Sequence, residues 1–247
     1  MTNKPKLMKK LLLTAAAAAI CTAAFAQSES SGLDQEKNEI FRQEHLYQLP
    51  EFSKGMVMFD QDAAVYDDNG IPITLHRSQG VINIDNLNQC VMMIADNDTI
   101  PLLYENYVTQ VTADKYMYLK IKGQYYKVVE YNEIVLAVME KLNATDMGKK
   151  DIYGTSSQLS STTNISSLAS NGGTVESLTG NTDMRYSFEK RPVFINLSNK
   201  KVAYFNEKQL CKTFKKKSAI VKAYFASHDV DTYSQEQAQE LYNELMK

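Results

Sequence analysis

From Gly55 to Val129 the chain alternates short apolar or aromatic runs with residues that reverse a backbone, and this rhythm confines the stretch to antiparallel β structure. The runs are Gly55-Met-Val-Met-Phe59, Val81-Ile-Asn-Ile84, Cys90-Val-Met-Met-Ile94, Val108-Thr-Gln-Val111, Tyr116-Met-Tyr-Leu-Lys-Ile121 and Tyr125-Tyr-Lys-Val-Val129. Val, Ile, Tyr and Phe suit a pleated, half-buried surface, and each run has strand rather than helix length. Between them stand Asp67-Asp68-Asn69-Gly70, Asp96-Asn97-Asp98 and Lys122-Gly123-Gln124, which stop a helix and turn the chain. Lys122-Gly123-Gln124 predicts the best local hairpin, because Gly takes a positive φ at little steric cost. The run Ile134-Val-Leu-Ala-Val-Met139 to Leu142 fits a buried strand or a helix; its Val and Ile content favours the strand.

The flanks have other textures. Residues 27–54 are polar apart from Ile40, Phe41, Leu46, Leu49 and Phe52, which reads as a leading helix or tether. Residues 155–182, with Thr155-Ser-Ser-Gln, Ser160-Ser-Thr-Thr-Asn-Ile-Ser-Ser and Asn171-Gly-Gly-Thr, hold too little apolar surface to offset ordering entropy and read as a flexible loop. In residues 183–247 a short strand pair is expected around Tyr186 to Phe188 and Val193 to Leu197, then three helices. Leu210, Cys211 and Phe214 share one face; Ile220, Val221, Tyr224 and Phe225 share another. Ser234-Gln-Glu-Gln237 is a capping box that opens a helix with Ala238, Leu241, Tyr242 and Leu245 inward. The fold class expected is α+β: a β-rich antiparallel sheet domain over 55–154 and a small helical C-terminal appendage leaning on it.

The first 26 residues bear on destination rather than fold. Lys4, Lys6, Lys9 and Lys10, without an acidic residue, lead into Leu11-Leu-Leu-Thr-Ala-Ala-Ala-Ala-Ala-Ile20, and Ala24-Phe25-Ala26 precedes the polar Gln27. That is the pattern of a cleavable secretory signal, with the cut expected between Ala26 and Gln27. The apolar run is shorter than the about 20 residues a spanning helix needs. Ile20 before Cys21 departs from the small residue a lipoprotein signal requires. The mature chain is therefore expected to carry no transmembrane segment and to be exported, to the periplasm, the outer membrane or the exterior. Four of the 27 basic residues leave with the leader, so 23 face 29 acidic ones; that negative balance argues against a nucleic-acid partner.

The search for chemistry is mostly negative. His45, His76 and His228 share no ligand spacing, so no metal is expected, and no nucleophile elbow, phosphate loop or dinucleotide fingerprint is present; neither a catalytic residue nor a cofactor is expected. Around Gly70 a calcium loop would need ligands where Val65 and His76 stand, so a plain turn is read there. Asp60, Asp62, Asp67 and Asp68 read as a solvated rim. An oxidising compartment would allow Cys90 and Cys211 to form a disulfide; the alternative is that each is a small buried hydrophobe. Lys200, Lys201, Lys208, Lys212, Lys215, Lys216, Lys217 and Lys222, opposed locally by Glu207, form a basic stretch. Lys212, Lys215, Lys216 and Lys217 are its candidate anion-binding patch, for a lipid headgroup, a surface glycan or an acidic envelope protein; a solvated helix face is the plainer alternative. Tyr116 and Tyr118 share a strand face, which is either a stacking platform for sugars or proline-rich peptides or half of the core.

The succession Val81-Ile-Asn-Ile-Asp-Asn-Leu87, Asp98-Thr99-Ile100, Val108 to Val111, Lys149-Lys150-Asp-Ile-Tyr153-Gly154, a Ser-rich segment and Lys-rich helices resembles uncharacterised exported proteins of Bacteroidetes-type bacteria. That resemblance implies no activity. It does imply that Thr99, in Asp98-Thr99-Ile100, is a candidate for O-glycosylation. The function expected is a non-enzymatic cell-envelope or secreted binding module; the alternatives are a periplasmic enzyme with a carboxylate-based site and a structural subunit of a surface assembly.

Overall fold

The computed structural model describes residues 35–67, 69–146 and 184–247. Residues 1–34, with the expected cleavage site at Ala26 and Gln27, lie outside them, as do Asp68 and residues 147–183, with the Ser/Thr/Gly-rich stretch. A helix, α1 (35–45), leads into strands β1 (Ser53–Phe59), β2 (Val65–Tyr66), β3 (Pro72–Ile73), β4 (Arg77–Asp85), β5 (Cys90–Ala95) and β6 (Asp98–Pro101). A 3-10 turn (Glu105–Tyr107) precedes β7 (Val108–Ala113), β8 (Tyr116–Ile121), β9 (Gln124–Tyr131), β10 (Ile134–Asp146), β11 (Met184–Asn196) and β12 (Lys201–Tyr204). The chain ends in α2 (Glu207–Thr213), a 3-10 turn (Lys215–Lys217), α3 (Ser218–Ser227) and α4 (Gln235–Leu245). Among these residues no helix is long and apolar enough to cross a membrane. The architecture is α+β and β-rich, as the apolar rhythm predicts.

Ten strands form one antiparallel sheet in the order β12-β11-β10-β9-β8-β7-β1-β4-β5-β6, while β2 and β3 make a separate small hairpin. Two-residue turns with positive φ reverse the chain at Asp96-Asn97 (φ 50 and 70) and Lys122-Gly123 (φ 53 and 79). Their twist matches that of the strands they join.

Both faces of the sheet are covered around β10, which explains why its sequence is apolar without alternation. Ile134 and Leu136 pack with Phe194 against Phe205, Leu210, Val221, Tyr224, Leu241 and Leu245 of the helical unit. Val135, Ala137 and Met139 pack on the other side with Leu119, Ile121, Tyr126, Val193 and Ile195. A third cluster, with Val57, Ile82, Ile84, Val91, Val111, Tyr118 and Tyr125, fills the half of the sheet centred on β1.

The sheet curls until the turn after β4 reaches β10: Leu142 N donates to Asn86 O (3.0 Å) and Asn86 N to Leu46 O (2.7 Å). Here β9 and β10 part, because their ladder ends at the Tyr126 to Met139 pair. Gln89 bridges the gap. Its Oε1 accepts from Tyr125 N (3.0 Å) and its Nε2 donates to Glu140 O (3.3 Å). Gln48 Nε2 donates to the same carbonyl (3.3 Å), and Asn83 binds Leu49 through both ends of its amide (3.1 and 2.9 Å). Buried amide side chains thus satisfy the backbone groups that the parted strands would otherwise orphan.

Three details differ from the sequence expectation. The strand pair around Tyr186 and Val193 is one continuous strand, β11, paired along its full length with β10. Pro192 is tolerated because it lies just outside the four residues that pair with β12, so its missing N–H costs no bond to that strand. The capping box closes only on one side: Ser234 Oγ accepts from Gln237 N (3.3 Å), but Gln237 reaches further back, accepting from Asp231 N (2.8 Å). Ile220, expected inward on α3, is 37% exposed.

Candidate functional site

The Lys122-Gly123 turn sets the register of β8 and β9, with Tyr118 opposite Lys127 and Lys120 opposite Tyr125. Side chains two apart share a face, so Tyr116, Tyr118 and Lys127 lie together. Beyond β9, Val138 stands opposite Lys127 and Glu140 opposite Lys190. The β9 to β10 register skips Val129, since Leu136 pairs with Glu130 and Ala137 with Val128. That bulge leaves Val129 without a cross-strand partner and half exposed. The result is an open groove of about 410 Å³, walled by Lys115, Tyr116, Lys127, Val129, Val138 and Glu140, with Lys190 and the first residue of α4, Gln235, at its rim.

Charge is unevenly matched in this groove. Lys127 Nζ lies 3.5 Å from the centroid of the Tyr116 ring, and Lys115 Nζ lies 5.3 Å from it. Both ammonium groups are held by the π face of one phenol. Among the described residues neither has a carboxylate within ion-pair distance, whereas Lys190 is 2.9 Å from Glu140 Oε1. Glu140 is buried, so that pair is fixed from the sheet side. Behind the groove sits Tyr118, fully buried, its hydroxyl without a hydrogen-bond partner among the described residues. Burial, then the nearby Glu140, Tyr116 and Asp114, push its ionisation upward.

A second polar cluster is closed on itself. Glu105 Oε1 accepts from Lys120 Nζ and from Tyr125 Oη (2.6 Å each), Glu105 Oε2 accepts from Val91 N (3.1 Å), and Lys120 Nζ also donates to Glu105 O (2.8 Å). The Lys120 side chain is 8% exposed. Every oxygen of the carboxylate is used, so the cluster clamps the turn before β7 onto the sheet and leaves nothing for a ligand.

No family model matches the chain, and neither a curated protein nor a solved structure matches it. The site therefore has to be read from its own residues.

The residues singled out in the sequence are scattered over the fold. Cys90 and Cys211 are both free thiols. Cys90 is half-buried on β5, 3.6 Å from Met92 Sδ, and Cys211 on α2 packs against the helical core. The two lie on separate elements, β5 and α2, and no bond joins them in this structure. Thr99 is exposed on β6, the outermost strand of the sheet, opposite Ile94. It lies in the strand, not in the turn, yet is accessible. Lys212, Lys215 and Lys216 are exposed around the α2 to α3 connection. Lys217 is occupied: its Nζ donates to Leu245 O at the C-terminal end of α4, a favourable place for a cation. Asp67 Oδ1 accepts from Asn69 N (2.9 Å) and Ile71 N (2.7 Å), and Asp60 Oδ1 from Asp62 N (3.1 Å). These acids shape turns. Among the described residues no group of three or more His, Cys, Asp or Glu side chains could hold a metal ion.

The two tyrosines expected to share a face divide their roles. Tyr118 belongs to the core, while Tyr116 is half-buried and lines the groove. Lys115, Lys127, Glu140 and Lys190 were not legible as a set. The one available signal was Lys127 in alternation with Tyr125, a charge on an otherwise aromatic strand face.

Proposed function

We propose that this protein is an exported, non-enzymatic binding module of the bacterial cell envelope, and that the groove over β8 to β11 takes an anionic ligand. The observation that carries the reading is the convergence of Lys115 and Lys127 on the single ring of Tyr116, with no carboxylate partner among the described residues. Two like charges held close together are offset in the free protein only by the ring and by water, and a bound anion supplies the missing counter-charge. A binding role fits better than catalysis because the one acid in the groove, Glu140, is paired with Lys190. The Lys-rich, Ala-rich leader ending at Ala26 supports export.

Two measurements test the proposal. Protein recovered from its native host should begin at Gln27; recovery with the leader attached would overturn export. Retention on a column of immobilised heparin, a generic polyanion, should fall sharply in Lys115→Gln/Lys127→Gln and stay near wild type in Lys212→Gln/Lys215→Gln/Lys216→Gln. The reverse pattern would move the anion site to the α2 to α3 connection.

A further inference from the structure

We infer that the ligand of the groove is an acidic pyranose, a sugar residue bearing one carboxylate, sulfate or phosphate, within or at the end of a glycan chain. The inference rests on the anionic-ligand reading and narrows it. Four features of the groove select this chemistry together.

The first is the cation pair. Lys115 and Lys127 are compact ammonium groups 5.3 and 3.5 Å from the Tyr116 centroid, so they mark one end of the groove as the place for a carboxylate, sulfate or phosphate. The second is Glu140. A buried carboxylate in the wall repels an anionic group placed against it, but it is an acceptor for hydroxyl groups. Its pairing with Lys190 (2.9 Å) places an acceptor and a donor side by side, an arrangement that matches neighbouring sugar hydroxyls. The sugar residue seated in the groove therefore presents its charge at one end and hydroxyls at the other.

The third feature is the surface between those ends. Val129, half exposed by the β9 bulge, and Val138 give an aliphatic floor. The ring of Tyr116 is engaged by the two ammonium groups, so flat stacking is not what this surface offers; C–H contacts from a puckered ring are. The fourth is shape. The volume of about 410 Å³ exceeds that of one small anion and lies within the range of ligand pockets. The groove is open at the sheet surface, which admits a residue still attached to a chain. Inorganic phosphate would use only the cation end, and a phosphatidylglycerol headgroup, though it carries hydroxyls, would bring no ring to the aliphatic floor.

The experiment is a calorimetric titration of the full mature chain with trigalacturonate, a neutral glucose trimer and inorganic pyrophosphate, with anionic phosphatidylglycerol vesicles assayed by co-sedimentation. Trigalacturonate should bind, and at least 10-fold more weakly to Lys115→Gln/Lys127→Gln. The glucose trimer should show no heat. Glu140→Gln should weaken trigalacturonate and leave pyrophosphate unchanged or tighter. Because Glu140 is buried and its variant can lose structure, Val129→Glu is the companion: it adds a charge at an exposed position and should abolish trigalacturonate binding with an unaltered circular dichroism spectrum. Pyrophosphate or vesicles binding as tightly as trigalacturonate would overturn the sugar inference and leave the anion reading intact. Failure of every anion to bind would overturn both.

Discussion

At the residue scale, several side chains that look available are already committed. Lys217 belongs to the most basic run in the chain, yet it caps the last turn of α4 through Leu245 O. Lys217→Ala should therefore cost about 0.5–1 kcal/mol in a urea melt, as a cation lost from a helix C-terminus does, while Lys222→Ala, exposed in the middle of α3, should be neutral within error. Cys90 is similarly withheld. Burial, with Asp85 and Glu105 adding to it and Lys120 opposing, pushes its thiol up to about 12. Burial and Tyr204 take Tyr126 to about 12 as well, and burial followed by Glu105 raises Tyr125. In each case the fold favours the protonated form. The stability this contributes is complete below the ordinary thiol value of 9.0 and is lost as pH rises from there towards 12. The urea midpoint should thus fall steadily above pH 9, with buried phenols ionising, by absorbance at 295 nm, only as the protein unfolds. A Cys211→Ser variant should resist iodoacetamide at pH 8 when folded and react readily in urea; equal rates would contradict a half-buried, protonated Cys90.

At the element scale, alternation made most strands readable and register made the groove unreadable. The runs between Gly55 and Val129 fall on β1, β4, β5, β7, β8 and β9 because each is of strand length, rich in β-branched and aromatic residues and bounded by turn residues. β10 was ambiguous because both of its faces are covered, which erases the period that distinguishes strand from helix. Pro192 hid the length of β11, since its tolerance depends on where β12 stops, a fact of pairing and not of composition. β6 and β12 are four residues each and carry no pattern long enough to detect. Lys115, Lys127, Glu140 and Lys190 come from four separate segments and meet only through strand pairing. A lysine next to a tyrosine does not announce a cation over its ring. Tight pairing also appears at two glycines. A Cβ on Gly55 would lie 2.5 Å from Thr112 O and from Ile82 Cδ1, whereas one on Gly80 would meet Met93 Sδ at 2.8 Å. Backbone cannot yield, but a Met side chain can. Gly55→Ala should lose about 1–3 kcal/mol by denaturant melt, and Gly80→Ala clearly less; equal losses would mean that β1 has room the close contacts deny it.

At the scale of the whole molecule, the polar bridge of Gln48 and Gln89 and the groove belong to one construction. Glu140 offers its backbone carbonyl to both glutamines and its carboxylate to Lys190, so the point where β9 and β10 part is anchored from the far side by buried amides. The groove gains a rigid wall from a junction that is itself closed to ligands. The helical unit completes the arrangement by covering Ile134 and Leu136 and leaving Gln235 at the groove rim.

The strand order also dictates a sequence of events during folding. Nearly every neighbour in the sheet is the next strand in the chain, but β1 lies between β4 and β7. A polypeptide emerging N-terminus first can join β1 to β4, add β5 and β6, and then must wait for Val108 to Ala113 before the second side of β1 finds its mate. During that interval Val57 and its neighbours present bare amides and carbonyls, the moment when self-association is easiest and a holding chaperone has most to protect.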